Sequence, residues 1–489
     1  MFFTTKYYLA ALLCAATCVT AADGVRYKDR LFEVSEARTV TVAENVPFLT
    51  HTIETEYDNY CALTQLIMMG RVFGMDVPMM YFYLDEEFEE SPLKMDIFEP
   101  KDDDAEKRAV VLVSHGGAFV AGEYDDRTSK AVAYVDSLAA RGFVTASLDY
   151  RLGVLMEVVN NEDAGLSTET YDNTAFIDSV DFSRTVYRAM QDINAAVRYL
   201  RVHAEELRID PDKIFVVGNS AGGMMALENI YGQKRSDYPV YINPEDRDYV
   251  ELGELDEYGV KEEGVDGIAN GVVALWGAVH DKEIVKNSKV PVFLAHGDSD
   301  YVMPFAEGYA VTDARRMVGD NPALSRMDFQ IHTPTLYGSY IIDSILTENK
   351  VYHEFYAPRG QELKHEFYNT TRIDELGNEI VYADSVREKA FAFLYMLAID
   401  SIPSVEEHTT PLPVLAMAKP SKVAMGEGNL SFTVVDGENV AYALFDLKGK
   451  RQLSGRASMG ESVLLDGVNN GVYYLRIQGE AARRIVLRR

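Results

Sequence analysis

Residues 213–227 read Lys213-Ile214-Phe215-Val216-Val217-Gly218-Asn219-Ser220-Ala221-Gly222-Gly223-Met224-Met225-Ala226-Leu227. An apolar run leads into a glycine-flanked serine, and a second apolar run leads out. The pattern predicts a strand, a sharp turn and a helix, with Gly-x-Ser-x-Gly on the turn. Glycines at both ends let the backbone bend tightly and let strand and helix approach closely. Ser220 is then raised at a helix N-terminus, where developing negative charge is favoured.

The flanking segments place this turn in a larger sheet. Upstream, Met79 to Leu84, Leu93 to Phe98, Ala109 to Val113 and Phe143 to Leu148 read as strands. Acidic Asp85-Glu86-Glu87 and the stretch Lys101 to Lys107 read as solvated turns. A helix fits Thr128 to Ala140. A longer one fits Phe182 to His203, with Tyr187, Met190, Ile193, Val197 and Leu200 on one stripe. Downstream, Gly271 to Leu275, Val290 to Leu294 and Val351 to Tyr356 are strands, and Ile341 to Leu346 and Ala383 to Leu397 are helices. Strands alternating with helices predict an α/β fold, a doubly wound and mostly parallel sheet. Two insertions, 230–268 and 305–337, are positioned to shape a substrate entrance or to be surface loops. Residues 23–80 read as an N-terminal extension packing on a core of 81–398.

Acyl transfer needs a nucleophile, a base, a carboxylate to orient the base, and donors for an oxyanion. Ser220 is the nucleophile candidate. His115-Gly116-Gly117-Ala118-Phe119 follows the strand ending at Val113. The bare Gly116 and Gly117 let backbone N–H groups face a pocket, so Gly117 and Ala118 are expected donors, with Ala221 as a third. The carboxylate comes from His296-Gly297-Asp298-Ser299-Asp300-Tyr301-Val302-Met303-Pro304. Asp300 is favoured over Asp298, which is expected to cap the turn. In the order Ser, Asp, His the base follows Asp300, leaving His332, His353, His365 and His408. His332 lies in an insertion, His353 in a strand and His408 beyond the closing helix. His365 lies in a loop after the last strand and is the expected base.

The segments His115 to Phe119, Asp149-Tyr150-Arg151-Leu152-Gly153, Gln191-Asp192 with Ala195 to Arg198, and Asp210-Pro211 through Gly223 together resemble the carboxylesterase/lipase side of the α/β-hydrolases. The resemblance spans about residues 90–398. It implies an α/β-hydrolase fold, a serine esterase activity and no metal or organic cofactor. Asn219 and Ala118 depart from the family's commoner Glu and Gly, which bears on acyl preference.

The chain has 489 residues and a net charge of −30, which argues against nucleic acid and anionic membranes as partners. Residues 1–22 carry Lys6, an apolar run from Tyr8 to Val19 and a small-residue end, the signature of a signal peptide. Cys14 and Cys18 fall within it, outside a lipoprotein context. Cys61 alone would survive processing, as a buried apolar side chain. Residues 399–413, with Pro403, Pro411 and Pro413, read as a linker. Residues 412–489 carry a net +4 against −34 for the remainder, and their short alternating runs predict a small all-β sandwich over 414–489. Ala443 to Lys450 and Gly471 to Ile477, with the basic end, resemble the C-terminal sorting domain of type IX secretion substrates. That resemblance implies export, the type IX machinery as a partner and outer-membrane surface attachment. A carbohydrate-binding sandwich with Tyr473 and Tyr474 as sugar platforms is the alternative. The expected function is a secreted serine carboxylesterase acting on a small-molecule or polysaccharide-linked ester. Its rivals are a serine peptidase of the prolyl-oligopeptidase type and a non-catalytic binding protein on a hydrolase scaffold. Only about 70 residues separate the signal peptide from the first core strand, too few for the propeller that such peptidases usually add.

Overall fold

The computed structural model describes residues 24–50, 60–61, 64–65, 67–69, 79–126, 132–163, 171–245, 247–312, 326–357, 364–365, 371–373 and 379–403, and, toward the C-terminus, 423–425, 431–434, 440–446, 451–458, 461–465, 468–469, 471–477 and 483–487. The segment read as a signal peptide, His408 and most of 399–413 lie outside the described residues. The chain divides into two compact units, 1–405 and 406–489.

The first unit is built on strands β1 (Arg38–Leu49), β2 (Phe82–Tyr83), β3 (Phe88–Phe98) and β4 (Arg108–Ser114), helix α1 (Tyr134–Ala139), β5 (Val144–Leu148), β6 (Val154–Leu155), β7 (Glu157–Asn160), β8 (Asn173–Ile177), α2 (Ser179–Val202), β9 (Ile209–Asn219), α3 (Ala221–Tyr231), β10 (Gly271–Leu275), β11 (Ala278–Val279), β12 (Val292–Ala295), β13 (Glu307–Gly308), β14 (Met327–Ile331), β15 (Leu336–Gly338), α4 (Ser339–Glu348), β16 (His353–Tyr356), β17 (Thr371–Ile373), β18 (Glu379–Val381) and α5 (Tyr382–Ala398). Eight strands form the main sheet in the order β1-β3-β5-β4-β9-β10-β12-β16. β1–β3 and β3–β5 pair antiparallel, and the pairs from β5 to β16 are parallel.

Alternation along the strands fills both faces. Val110 and Leu112 of β4, Val216 of β9 and Val272 and Ala274 of β10 meet α2, α3 and α4 on one side. Val111, Val113, Val217, Val273 and Leu275 meet α1 and α5 on the other. A sheet covered twice has no solvent face, which is why its central strands read as continuous apolar runs.

The sheet begins earlier than residue 81. β1 is its edge strand, paired with β3 from Arg38↔Ile97 to Leu49↔Phe88. The run Thr39 to Leu49 was hidden by register shifts after Thr41 and Ala43, which break simple alternation. Residues Asp85 to Glu87 are not a fully solvated turn. The Glu86 side chain is 3% exposed and lies between Arg184 and Arg188 of α2. Asp103, in the second presumed solvated turn, is buried against Arg26 and Arg108.

The insertion 230–268 runs along α2. Arg247 reaches the helix N-cap Asp178, Arg184 donates to the Ile242 and Val250 carbonyls, Arg198 to those of Tyr258 and Val260, and Arg201 to Asp266. Its described contacts form a strap on the flank of α2. Within 305–337, β14 pairs with β8, and β8 with β7. Ala175, Ile177 and Met327 of this small sheet cluster with Cys61, Phe82, Val120 and Val154, and Ala118 packs against the same cluster. The small sheet therefore covers the loop that follows β4.

In the second unit, β19 (Val423–Met425), β20 (Ser431–Val434) and β23 (Ser462–Leu464) make one antiparallel sheet. β21 (Val440–Asp446), β22 (Arg451–Ala457), β24 (Gly471–Ile477) and β25 (Arg483–Leu487) make another. The side chains of Tyr473 and Tyr474 lie outside the described residues.

Candidate active site

Ser220 sits between β9 and α3 with φ 56° and ψ −120°. A non-glycine residue held there carries strain of about 1–3 kcal/mol, so surrounding contacts must impose it. The Ser220 N–H donates to the Leu275 carbonyl at 2.9 Å, and its own carbonyl accepts from Met224 at 2.9 Å. Close approach does the rest: a Cβ added at Gly222 would lie 2.1 Å from the Ser114 carbonyl oxygen. Only glycine lets α3 start so near β4.

His365 Nε2 lies 2.9 Å from Ser220 Oγ, and its Nδ1 lies 2.7 Å from Asp300 Oδ2. Asp300 Oδ1 accepts from the Val302 and Met303 N–H groups at 2.8 and 2.9 Å. The Asp300 side chain is 1% exposed. Burial alone would push its carboxyl up, but the hydrogen bonds from His296 and His365 outweigh that and hold it well below the ordinary carboxylate range. An ionised acceptor at Nδ1 places the imidazole proton there and leaves Nε2 free to accept from Ser220. The His365 ring stands edge-on to Trp276, with centroids 6.2 Å apart.

The turn is capped by Asp300. Asp298, expected in that role, is exposed and, among the described residues, accepts the Ser299 hydroxyl at 3.2 Å. Of the remaining histidines, His353 is held by Asp343 at 3.0 Å and by the Val351 carbonyl at 2.8 Å, and His332 is exposed. Neither approaches Ser220.

The loop after β4 lies against the serine. A Cβ built on Gly116 would sit 3.3 Å from Ser220 Cβ. Gly117 has φ +121°, and Ala118 and Phe119 follow at 54° and 61°. The Gly117 carbonyl accepts from Val120 and Ala121 at 3.0 and 2.9 Å, closing the loop on itself. Among the described residues neither the Gly117 nor the Ala118 N–H donates to a protein acceptor. Ala221 opens α3, where an N–H has no intrahelical partner. These groups form the donor set expected for an oxyanion.

Two residues that the sequence did not single out hold the site. His115 is buried, and its Nδ1 donates to the Gly116 carbonyl at 2.7 Å. Burial pushes its imidazole down to about 4, so the ring is neutral at pH 7. Tyr150 stacks on it at 4.4 Å and donates to its carbonyl at 2.9 Å. Arg151, next in the Asp149-to-Gly153 segment, forms a buried pair with Asp192 at 2.8 Å. The pair ties the segment after β5 to the middle of α2. Among the described residues no cluster of three or more His, Cys, Asp or Glu is arranged to hold a metal ion.

Residues 95–158 and 181–254 match the family described as BD-FAE, which is α/β-hydrolase-like. The match takes in the His115–Phe119 loop and Ser220 and stops before Asp300 and His365. No curated protein matches the chain. Solved structures that resemble it include Thermogutta terrifontis esterase 2 phosphoramylated by tabun, at 18% identity and TM-score 0.37, covering 64% of this chain and 91% of that one. The native form of the same Planctomycetes esterase aligns at 17% identity and TM-score 0.36, covering 64% of this chain and 89% of that one. Over the segments that match BD-FAE, the chain is similar to an esterase-like α/β hydrolase.

Proposed function

We propose that the chain is a secreted serine carboxylesterase. The observation that carries this reading is the continuous contact from Ser220 Oγ to His365 Nε2 at 2.9 Å and from His365 Nδ1 to Asp300 Oδ2 at 2.7 Å. His365 takes the Ser220 proton as Oγ attacks the ester carbonyl. The imidazolium is balanced by the ionised Asp300. The tetrahedral oxyanion is met by N–H groups of Gly117, Ala118 and Ala221. His365 then returns the proton to the leaving alcohol, and a water molecule, activated the same way, releases the acid from Ser220. The reading calls for no metal or organic cofactor. The signal-peptide pattern of residues 1–22 and the type IX resemblance of the tail support export to the cell surface.

Hydrolysis of a graded series of p-nitrophenyl esters, with Ser220→Ala alongside, tests the reading. Turnover of short acyl esters that is lost in the folded variant is expected. Equal activity in wild type and variant would refute it. Cleavage of amide substrates without ester turnover would transfer the same residues to a peptidase.

A further inference from the structure

Asp300 has a second histidine beside it. His296 directly follows β12, is fully buried, and places Nε2 3.3 Å from Asp300 Oδ2. The same nitrogen lies 3.3 Å from the Met303 carbonyl oxygen. On the other side of the ring, Ser339 Oγ, at the start of α4, lies 2.9 Å from Nδ1. Phe305 fixes the ring edge-on, 5.6 Å away with planes at 88°.

The proton positions follow from the acceptors. A carboxylate oxygen and a peptide carbonyl both face Nε2, and neither can donate, so the ring hydrogen belongs on Nε2. Nδ1 faces the Ser339 hydroxyl, which donates to it in the tautomer protonated at Nε2 alone. We propose that His296 is a positioning residue for the reaction at Ser220: its imidazole, held in the Nε2–H tautomer by Ser339, donates to Asp300 Oδ2 and fixes the carboxylate edge that orients His365. This inference rests on the reading of Ser220, His365 and Asp300 as the reacting set.

With His296 in place, Oδ1 holds two backbone N–H groups, and Oδ2 lies against two imidazoles, His365 at 2.7 Å and His296 at 3.3 Å. The carboxylate has no rotation left that keeps its partners. Oδ2 also divides its charge between two donors, which weakens its pull on the His365 proton. Removing the His296 N–H concentrates that charge on His365, favours the imidazolium and moves its ionisation to higher pH. Among the described residues, the titratable groups that reach Asp300 are His296 from the end of β12 and His365 from the segment before β17. Asp298 on the same loop is exposed, Lys364 beside His365 is exposed, and His353 on β16 is engaged by Asp343.

The chain contains one tryptophan, Trp276, and it is the residue in edge contact with His365. Protonated imidazole quenches indole emission, so a pH titration of Trp276 fluorescence in the full chain reads His365 with no substrate present. In His296→Phe the midpoint is expected to rise by about 0.5–1 pH unit, and the acid limb of kcat/KM to move with it. The kcat for p-nitrophenyl acetate should fall about tenfold with KM within about twofold, as befits a group that acts on the transition state through its neighbours. His296→Gln, whose amide presents an N–H in place of Nε2, should recover most of both. Nitrogen-15 spectra of the wild type should show His296 protonated at Nε2 alone. A His296 protonated at Nδ1, or a His296→Phe variant with the wild-type midpoint and pH profile, overturns the proposal. Should His296→Phe not fold, Ser339→Ala decides. Loss of the single-tautomer signal supports the proposal, and an unchanged one overturns the part given to Ser339. Absence of ester turnover in the wild type would refute the esterase reading alone, since neither the fluorescence titration nor the spectra require turnover.

Discussion

Asp298 and Asp300 are two residues apart in a loop, and a carboxylate at either position satisfies the sequence pattern. Their surroundings separate them. Asp300 is buried with acceptors spent on two N–H groups and on His365, whereas Asp298 is exposed with a serine hydroxyl. Asp300→Asn offers Nδ1 of His365 an amide whose N–H side competes with its carbonyl side, so the ring can adopt the tautomer that cannot accept from Ser220. A loss in kcat of about 10,000-fold is expected with the fold retained, the size seen when a triad carboxylate is replaced elsewhere. Asp298→Asn should leave kcat/KM within about twofold, as an exposed substitution away from the reacting groups does. Comparable losses in both variants would mean that the loop, and not the Asp300 carboxylate, matters. The same kind of test applies to the loop after β4. Ala in place of Gly117 would force a Cβ to 1.9 Å from the Ala121 carbonyl oxygen at a φ of +121°. Displacing that donor should reduce kcat by about 100-fold or more.

The helix that feeds the site, α2, shows what pattern reading captures and what it misses. Tyr187, Met190, Ile193, Val197 and Leu200 lie against the sheet as their spacing demands. The opposite side of α2 also disappears from solvent, because Arg184, Arg188 and Arg198 are buried too. Helical periodicity reports an apolar stripe, but it does not report that arginines will find carbonyls in an insertion 60 residues later. The same limit explains Glu86, whose place in an acidic run signals solvent until Arg184 is seen at 2.7 Å. Ser220, the His115–Phe119 loop and the alternating strands were legible because each is a local pattern with one physical meaning. β1 and the roof made by β7, β8 and β14 were not, since bulges and pairing between distant segments decide them. Breaking the α2 network should therefore be costly. Arg184→Met leaves the buried Glu86 with Arg188 and the Val250 N–H, each at 3.1 Å, and strips donors from the Ile242 and Val250 carbonyls. A destabilisation of about 3 kcal/mol is expected by denaturant titration. A change below about 0.5 kcal/mol would show that the strap over α2 is already loose in solution.

For the molecule as a whole, two buried histidines contribute to how stability varies with pH. His280 follows β11 and places Nδ1 2.8 Å from Oε1 of Glu228 on α3, and its Nε2 donates to the Asp237 carbonyl at 2.8 Å. Burial works against charge on this ring, but Glu228 outweighs it and raises the imidazole to about 9. An unfolded histidine titrates near 6.5, at roughly its model-peptide value. Between the two values the folded chain binds the extra proton, so the contribution is complete below about 6.5 and is lost as pH rises through about 9. His115 works in the opposite sense. Its folded value of about 4 means that the unfolded chain binds the extra proton as pH falls from about 6.5, and stability is lost in that direction. Asp300, held low, adds a further loss below the ordinary carboxylate range. Taken alone these three groups favour neutral to mildly acidic pH, with one identified histidine on each flank, while Asp149 and Asp181, pushed up by burial to about 7 and about 6, subtract stability as pH rises through those values. Glu228→Gln separates the flanks, because it keeps the shape and the acceptor oxygen for the His280 N–H but removes the charge. Thermal unfolding of the variant should show a lower Tm than wild type near pH 6.5, a flatter decline from pH 7 to 9, and an unchanged acid limb. A decline as steep as that of the wild type between pH 7 and 9 would mean that His280 is not charged in the folded chain, and the alkaline loss would then belong to other groups.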